Sequence, residues 1–217
     1  MRSDYSKRKN IKAFDLGART LLVLGYGRIG TRVSRLASSF GMTVLVCDEK
    51  FDLGVSEVDG FEIIHDLDEG LARSTFLTVH IPLTDKSANL IDKDRLLKMP
   101  KGSYLVNCAR GGIVDEESLF DALKNQQIAG AALDCFEDEP VTERHRFGEL
   151  ENVILAPHSI AWTAELFRDI GRTACQSMLD LSHGRRPAGV LNPELLDRPS
   201  YRAKWSRVTG VPERSLG

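Results

Sequence analysis

The sequence lacks the features that mark a membrane-bound, secreted or nucleic-acid-binding chain. No uninterrupted apolar run reaches 18 residues, so we predict no segment that spans a bilayer. The first ten residues are basic but contain no apolar stretch of the kind that a secretory signal requires. The formal net charge of −2 favours neither a nucleic acid nor a membrane surface as a partner.

Cysteine is also scarce and shows no ligand spacing. The four cysteines are Cys47, Cys108, Cys135 and Cys175. They form no C-x-x-C pair and have no histidine cluster beside them, so we predict no metal site. Three of them fall at or near predicted strand ends, where we interpret them as small buried thiols. Unpaired thiols fit a reducing compartment, and we expect a cytoplasmic protein.

What the sequence does contain is a regular alternation of apolar runs and helical segments. The runs predict seven strands, at 21–25, 43–47, 61–64, 75–79, 103–107, 128–134 and 152–156. Helices are predicted at 28–40, 66–73, 92–98, 118–124 and 163–183. We interpret 49–60 as a loop and the proline-containing segment after Gly184 as extended. This pattern predicts an α/β fold, a Rossmann-type doubly wound parallel sheet with helices on both faces.

The most informative segment joins the first two predicted strands. Gly25, Gly27 and Gly30 have the spacing G-x-G-x-x-G directly after an apolar run, and Asp48 ends the next run, 18 residues past Gly30. In a β-α-β unit the first glycine allows a tight turn, the second lets a pyrophosphate approach the backbone, and the third lets helix and strand pack closely. The terminal acid accepts hydrogen bonds from ribose hydroxyls and repels a 2′-phosphate. The segment therefore predicts NAD as the cofactor.

Polar side chains follow the other predicted strands, at the edge where a parallel sheet binds its ligands. They are Asp48, His80, Arg110, Asp134 and His158. A guanidinium at a strand end can bind a carboxylate through two hydrogen bonds. Hydride transfer to a carbonyl needs a proton donor that works near neutral pH, which is the usual task of a histidine. A carboxylate from the acidic turn 137–139 would hold that ring and stabilise its charged form.

Several ordered motifs together resemble one family, the D-isomer-specific 2-hydroxyacid dehydrogenases. The motifs are the segments 25–30, 79–84, 106–115, 130–140 and 156–158, and the resemblance extends over about 17–202. It implies an oxidoreductase that transfers a hydride between NAD and a small D-2-hydroxy or 2-keto acid. In the catalytic site it implies that Arg110 binds the substrate carboxylate, His158 is the acid/base and Glu139 is its partner.

The same resemblance implies a cofactor site along the whole edge. Backbone groups of Arg28 and Ile29 would hold the pyrophosphate, and Pro82 and Thr84 would lie on the adenosine side. The nicotinamide side would be lined by Asp134 and by two short segments, Cys108, Ala109 and Arg110 in one and His158, Ser159, Ile160 and Ala161 in the other.

Other polar residues receive no such role. We interpret Glu137 and Asp138 as solvated, and His65, His145 and His183 as incidental. His80 is expected near the cofactor, but without a chemical function. Ile160 and Trp162 add bulk after the histidine, which would change the size of the accepted substrate or orient the cofactor, or Trp162 would pack in a subunit interface.

The resemblance also implies a domain division. We predict a leading linker or helix over 1–19, an NAD-binding Rossmann domain over 20–184, and a tail over 185–217 that would return to a substrate domain missing from this chain. The resemblance further implies a homodimer formed through the cofactor domain. Whether this chain alone is active stays open, and so does one alternative function, a non-catalytic NAD-binding interaction module similar to corepressors built on this fold.

Overall fold

The computed structural model describes residues 13–210 and 212, and it contains eight strands and six α-helices in that range. The strands are β1 Thr20–Leu24, β2 Thr43–Cys47, β3 Glu57–Val58, β4 Phe61–Ile63, β5 Phe76–Val79, β6 Ser103–Asn107, β7 Ile128–Leu133 and β8 Val153–Leu155. The helices are α1 Arg28–Ser39, α2 Leu67–Ala72, α3 Lys93–Lys98, α4 Glu116–Lys124, α5 Ala164–Ser182 and α6 Pro199–Thr209.

The strands form one sheet in the order β3-β4-β2-β1-β5-β6-β7-β8. Every neighbouring pair is parallel except β3 and β4. The predicted Rossmann-type sheet is therefore confirmed, and each predicted strand lies within two residues of an observed one. The chain crosses from β1 to β2 on one side and later returns to β5 on the other, so β1 flanks the point where the strand order reverses.

One strand was missed in the segment interpreted as a loop. β3 and β4 form a hairpin in which Val58 pairs with Phe61, and the two residues between them, Asp59 and Gly60, have φ of 52° and 83°. An Asp-Gly pair in this conformation is a typical two-residue hairpin turn. The signal was present in the sequence, but a strand of two residues has too little apolar pattern to be recognised.

Apolar side chains cover both faces of the sheet. Along β1, Leu22 and Leu24 belong to a large buried cluster that also contains Leu71 of α2, Leu96 of α3 and Leu119 of α4. Leu21 and Val23 point to the opposite face, in a second cluster with Ala37 of α1. Because strand side chains alternate between faces, a continuous apolar run such as β1 is what a strand buried on both sides requires.

Aspartates begin the three helices of the larger cluster. Asp66, Asp92 and Asp115 each accept a hydrogen bond from a backbone N–H in the first turn of α2, α3 and α4. Such caps satisfy donors that the helix itself leaves free. In the described ranges, no helix is long and apolar enough to cross a membrane.

The chain divides into two compact units, Met1–Ile160 and Ala161–Gly217. The first unit holds the sheet. In the second, the indole Nε1 of Trp205 on α6 donates a 2.8 Å hydrogen bond to the carbonyl of Leu181 on α5. The prediction of an extended tail is wrong, because Pro193 and Pro199 lie in the first turn of helical segments. Proline lacks the N–H that a first turn leaves unbonded, so it starts these helices rather than preventing them.

Candidate functional site

The segments that follow the parallel strands meet at one edge of the sheet. The glycine loop follows β1, Asp48 follows β2, His80 follows β5, and the segment 108–110 follows β6. Asp134 follows β7 directly. A crevice at such an edge, beside the strand where the order reverses, is where open α/β sheets bind ligands.

The three glycines of the loop have three different surroundings. Gly25 has φ +99°, and a Cβ there would lie 2.8 Å from the carbonyl carbon of His80. At Gly30 a Cβ would lie 1.9 Å from the carbonyl oxygen of Gly25, so α1 packs directly on the turn. At Gly27 a Cβ would meet nothing within 4 Å. The protein itself does not require a glycine at this position, which leaves room for a ligand to reach the backbone.

A pyrophosphate fits the start of α1. The helix begins at Arg28 with Gly27 as its N-cap, and no side chain caps it. The first N–H groups of a helix have no acceptor within the helix, and together with the helix dipole they attract phosphate. The backbone N–H groups of Arg28 and Ile29 are in this first turn, next to the open space at Gly27.

Asp48 is held in place by backbone donors. Its Oδ2 accepts a 2.6 Å hydrogen bond from the N–H of Tyr26, and its Oδ1 accepts a 3.0 Å bond from the N–H of Lys50. The Tyr26 hydroxyl donates to Asp59 over 2.9 Å, so the glycine loop is tied to the β3–β4 turn. A carboxylate has about four acceptor positions, so Asp48 retains positions for two ribose hydroxyls.

The segment after β5 is fixed by Ser87, which is buried. The Ser87 hydroxyl donates to the carbonyl of Pro82 over 2.7 Å and accepts from the N–H of Thr84 over 2.8 Å. His80, before this segment, lies 3.0 Å from the Thr78 hydroxyl through Nε2. Burial lowers the pKa of His80, which favours a neutral imidazole beside the crevice.

Asn107, buried at the end of β6, holds the loop that carries Arg110. Its side-chain amide donates to the carbonyl of Arg110 over 2.9 Å, and its Oδ1 accepts from the N–H of Ala109 over 3.1 Å. The Arg110 guanidinium is exposed and donates to the carbonyl of Ala109. Cys108, also on this loop, is exposed rather than buried as we expected.

His158 and Glu139 form a direct pair. Nδ1 of His158 lies 2.6 Å from Oε2 of Glu139, and the other carboxylate oxygen accepts a 2.9 Å bond from the N–H of Phe136. Partial burial raises the pKa of Glu139, but the hydrogen bonds from His158 and Phe136 outweigh it, so the net pKa is below its usual range. With Nδ1 bound to the carboxylate, Nε2 is the nitrogen that can exchange a proton with a ligand.

Asp134 positions the backbone around His158. Asp134 is 4% exposed, and its carboxylate accepts the N–H groups of Ser159 (2.9 Å) and Ile160 (3.1 Å). His158 has φ +53°, a left-handed conformation that is uncommon for residues other than glycine. The two bonds from Asp134 hold the residues directly after this strained position, so they stabilise the conformation that directs the ring to Glu139.

The remaining residues of the predicted nicotinamide side are divided between the two units. Ile160 ends the first unit and is 66% exposed, whereas Ala161 begins the second. Trp162, also exposed, packs edge-on against Phe167 of α5 at a centroid distance of 6.0 Å.

Sequence reasoning missed a set of contacts behind the acidic turn. The Glu137 carboxylate accepts a 3.1 Å hydrogen bond from the N–H of Glu116, so it is not simply solvated. Glu116 also binds His145, which we had interpreted as incidental. These residues lie 21 and 29 positions apart in the chain, and no local pattern indicates that they meet.

Comparison with known proteins also indicates a dinucleotide-binding domain. The family description "D-isomer specific 2-hydroxyacid dehydrogenase, NAD binding domain" matches residues 1–159. Among curated relatives, the D-3-phosphoglycerate dehydrogenase of Methanocaldococcus jannaschii is 38% identical over 185 residues, 85% of this chain and 35% of the relative. The glyoxylate reductase of Thermofilum pendens is 38% identical over 191 residues, 88% of this chain and 56% of the relative.

A solved structure agrees with these relatives. The NAD complex of a D-isomer specific 2-hydroxyacid dehydrogenase from Lactobacillus delbrueckii ssp. bulgaricus superimposes with a TM-score of 0.75 at 28% identity, covering 84% of this chain and 59% of that one. The chain thus spans between about a third and three fifths of the length of these three proteins. On these grounds the chain belongs to the D-isomer specific 2-hydroxyacid dehydrogenase family and carries its NAD binding domain.

Proposed function

We propose that this chain is the cofactor-binding part of an oxidoreductase that transfers a hydride between NAD and a small D-2-hydroxy or 2-keto acid. The observation that carries the proposal is the 2.6 Å contact between His158 and Glu139 at the sheet edge that also bears the glycine loop. A binding module has no use for a paired histidine and carboxylate. A dehydrogenase needs both beside its cofactor.

In this proposal the chain holds the dinucleotide along the crevice. The first turn of α1 binds the pyrophosphate, and the Asp48 carboxylate accepts the ribose hydroxyls. Pro82 and Thr84 line the adenosine side. The segments 108–110 and 158–160, with Asp134, line the nicotinamide side. When bound, the cofactor supplies or accepts the hydride. The protein supplies orientation and the proton.

His158 acts as the acid/base in this proposal. During reduction of a keto acid, the protonated ring gives its Nε2 proton to the carbonyl oxygen as that carbon is reduced, and oxidation of the hydroxy acid reverses the transfer. Glu139, ionised because its pKa lies below the usual range, stabilises the positive ring through Nδ1. Arg110 binds the carboxylate of the substrate through its planar fork.

Glu139→Gln tests the proposed pair. Without the negative charge, Glu139 no longer stabilises the positively charged ring that gives the proton during reduction. We therefore expect the alkaline fall of 2-keto acid reduction to move to lower pH. The measurement is the pH profile of NADH oxidation with glyoxylate, hydroxypyruvate and pyruvate. Asp138→Asn is the control, because it removes the exposed charge next to Glu139 in the chain and should leave the profile in place. An unchanged Glu139→Gln profile would refute the pair.

Asp48 gives a second prediction, on cofactor preference. Its carboxylate repels the 2′-phosphate of NADPH, so NADH should bind more tightly than NADPH. Asp48→Ala should weaken NADH binding and narrow the difference, since it removes both the ribose acceptor and the repulsion. Titrations of each cofactor by calorimetry measure the effect. Equal or tighter binding of NADPH by the unaltered chain would contradict the prediction.

Two further properties belong to the same proposal. We infer that the protein forms a homodimer through the cofactor domain, in keeping with its family, and that it acts in the cytoplasm, where unpaired thiols persist. The predicted division of the chain after residue 184, with a tail that returns to a substrate domain, is also part of this proposal. Light scattering of the purified chain tests the dimer.

A further inference from the structure

The acidic turn that carries Glu139 contacts two parts of the fold besides His158. On one side, a Cβ at Gly111 would lie 1.8 Å from the carbonyl oxygen of Phe136, so the loop of Arg110 touches the turn backbone to backbone. On the other side, the turn meets the start of α4. The turn therefore lies between α4 and the loop of Arg110, the residue proposed to bind the substrate.

The contact with α4 is reciprocal. The N–H of Glu137 donates a 2.7 Å hydrogen bond to Oε1 of Glu116, and the N–H of Glu116 donates a 3.1 Å bond to Oε1 of Glu137. The first of these bonds is short and has an ionised acceptor, which makes it the stronger kind. It fixes the backbone two residues before Glu139. Glu139 also accepts the N–H of Phe136, so the turn is closed on itself.

The second oxygen of Glu116 is bound as well. Its Oε2 lies 3.2 Å from Nε2 of His145, while Nδ1 of His145 accepts the N–H of Phe147 over 3.4 Å. An accepting Nδ1 places the ring hydrogen on Nε2, which then donates to Glu116. The imidazole lies between the rings of Phe136 and Phe147, at centroid distances of 4.6 and 5.2 Å. The side chains of His145 and Glu116 are only 19% and 16% exposed.

We propose that Glu116 is a positioning residue for the Glu139–His158 pair, because its two carboxylate oxygens tie the acidic turn to α4 and to His145. The proposal rests on the function proposed above and adds a residue to it. If Glu116 only stabilised the N-terminus of α4, its contacts with the acidic turn and with His145 would have no explanation. Asp115 already caps α4, with its Oδ1 2.7 Å from the N–H of Ser118. An acid in the first turn of a helix interacts favourably with the helix dipole, and it needs no contact with the acidic turn to do so.

The test removes the Glu116 contacts and measures the titration of the Glu139 carboxyl. In the unaltered chain the ¹³C titration of the Glu139 carboxyl should fall below the usual range, since His158 and Phe136 donate to it. Glu116→Ala should move that titration upward, toward the ordinary range of a glutamate, because the loosened turn no longer holds Glu139 against His158. Where keto acid reduction is measurable, kcat should fall roughly 10- to 100-fold, the scale of misplaced catalytic groups, with NADH affinity unchanged.

Glu117→Ala is the matched control. Glu117 is exposed, lies next to Glu116 in the first turn of α4 and carries the same charge. Its removal should leave both the Glu139 titration and kcat in place. Glu116→Asp keeps the charge but shortens the side chain by one methylene, so it should fold and still move the Glu139 titration in the same direction as Glu116→Ala.

The outcomes separate this proposal from the proposed function. If the Glu139 titration responds to His158→Ala but to neither Glu116 variant, the positioning role is overturned and the pair stands. If the Glu139 titration is ordinary in the unaltered chain and does not respond to His158→Ala, the pair itself fails. A Glu117→Ala variant that shifts Glu139 as strongly as Glu116→Ala would show a general effect of charge at α4, and it would also overturn the positioning role.

Discussion

Replacing His158 by alanine is expected to slow 2-keto acid reduction by roughly 100- to 10,000-fold, the range that acid–base catalysis usually contributes. The alanine removes the ring whose Nδ1 lies 2.6 Å from Oε2 of Glu139, and with it the proposed proton donor at Nε2. The chemistry then depends on water for its proton. NADH binding should stay close to normal, because the glycine loop and Asp48 are untouched. Steady-state rates and NADH titrations separate the two effects.

The rates must be measured in a protein whose unaltered form reduces 2-keto acids. His183→Ala is a suitable control, since His183 is an exposed histidine at the end of α5 whose Nδ1 lies 2.7 Å from the carbonyl of Leu179. It should leave the rate unchanged. A His158→Ala variant with normal kcat would contradict the assignment, whatever its affinity for NADH.

The second large effect is expected at the glycine loop, where two alanine substitutions should weaken NADH binding for different reasons. Gly27→Ala should fold normally, since its Cβ meets nothing within 4 Å and its φ of −80° suits any residue. Its methyl group would occupy the space that a pyrophosphate needs, so NADH binding should weaken at least about tenfold, or about 1.4 kcal/mol. Gly30→Ala should lose stability and binding together, because its Cβ would lie 1.9 Å from the Gly25 carbonyl oxygen.

Thermal unfolding and NADH titration of both variants check this pair. The steric cost at Gly30 should exceed the gain in helix propensity from glycine to alanine, which is at most about 1 kcal/mol. Gly30→Ala should therefore have a lower Tm than Gly27→Ala. If Gly27→Ala binds NADH as tightly as the unaltered chain, the pyrophosphate does not approach the backbone there.

The parts of the fold that the sequence predicted are those set by local pattern. Buried parallel strands need continuous apolar runs, so β1, β2, β5, β6 and β7 were placed within a residue or two. The tail was mispredicted because its prolines were interpreted as breaking helices. Pro193 and Pro199 occupy first-turn positions, where proline is tolerated, and the pattern around them does not distinguish the two cases.

For the candidate site, the residue types could be predicted, but the contacts that hold them could not. Strand-end position and the resemblance to a family singled out Arg110, Glu139 and His158 before any geometry was known. The bonds of Asp134 to the backbone after His158, and of Glu116 to the acidic turn, join residues more than 20 positions apart. Such contacts depend on how the loops that follow different strands are arranged. A single sequence contains no signal for that arrangement.

The central claim is that one edge of the sheet holds two parts of the cofactor, the pyrophosphate at the glycine loop and the nicotinamide at His158. NMR spectra of the chain titrated with NAD and, separately, with ADP-ribose test it most directly, because ADP-ribose lacks the nicotinamide. Both ligands should shift the backbone amide signals of residues 25–30, whereas only NAD should shift the imidazole signals of His158. If NAD leaves the His158 ring unmoved, or if ADP-ribose moves it equally, the claim is contradicted.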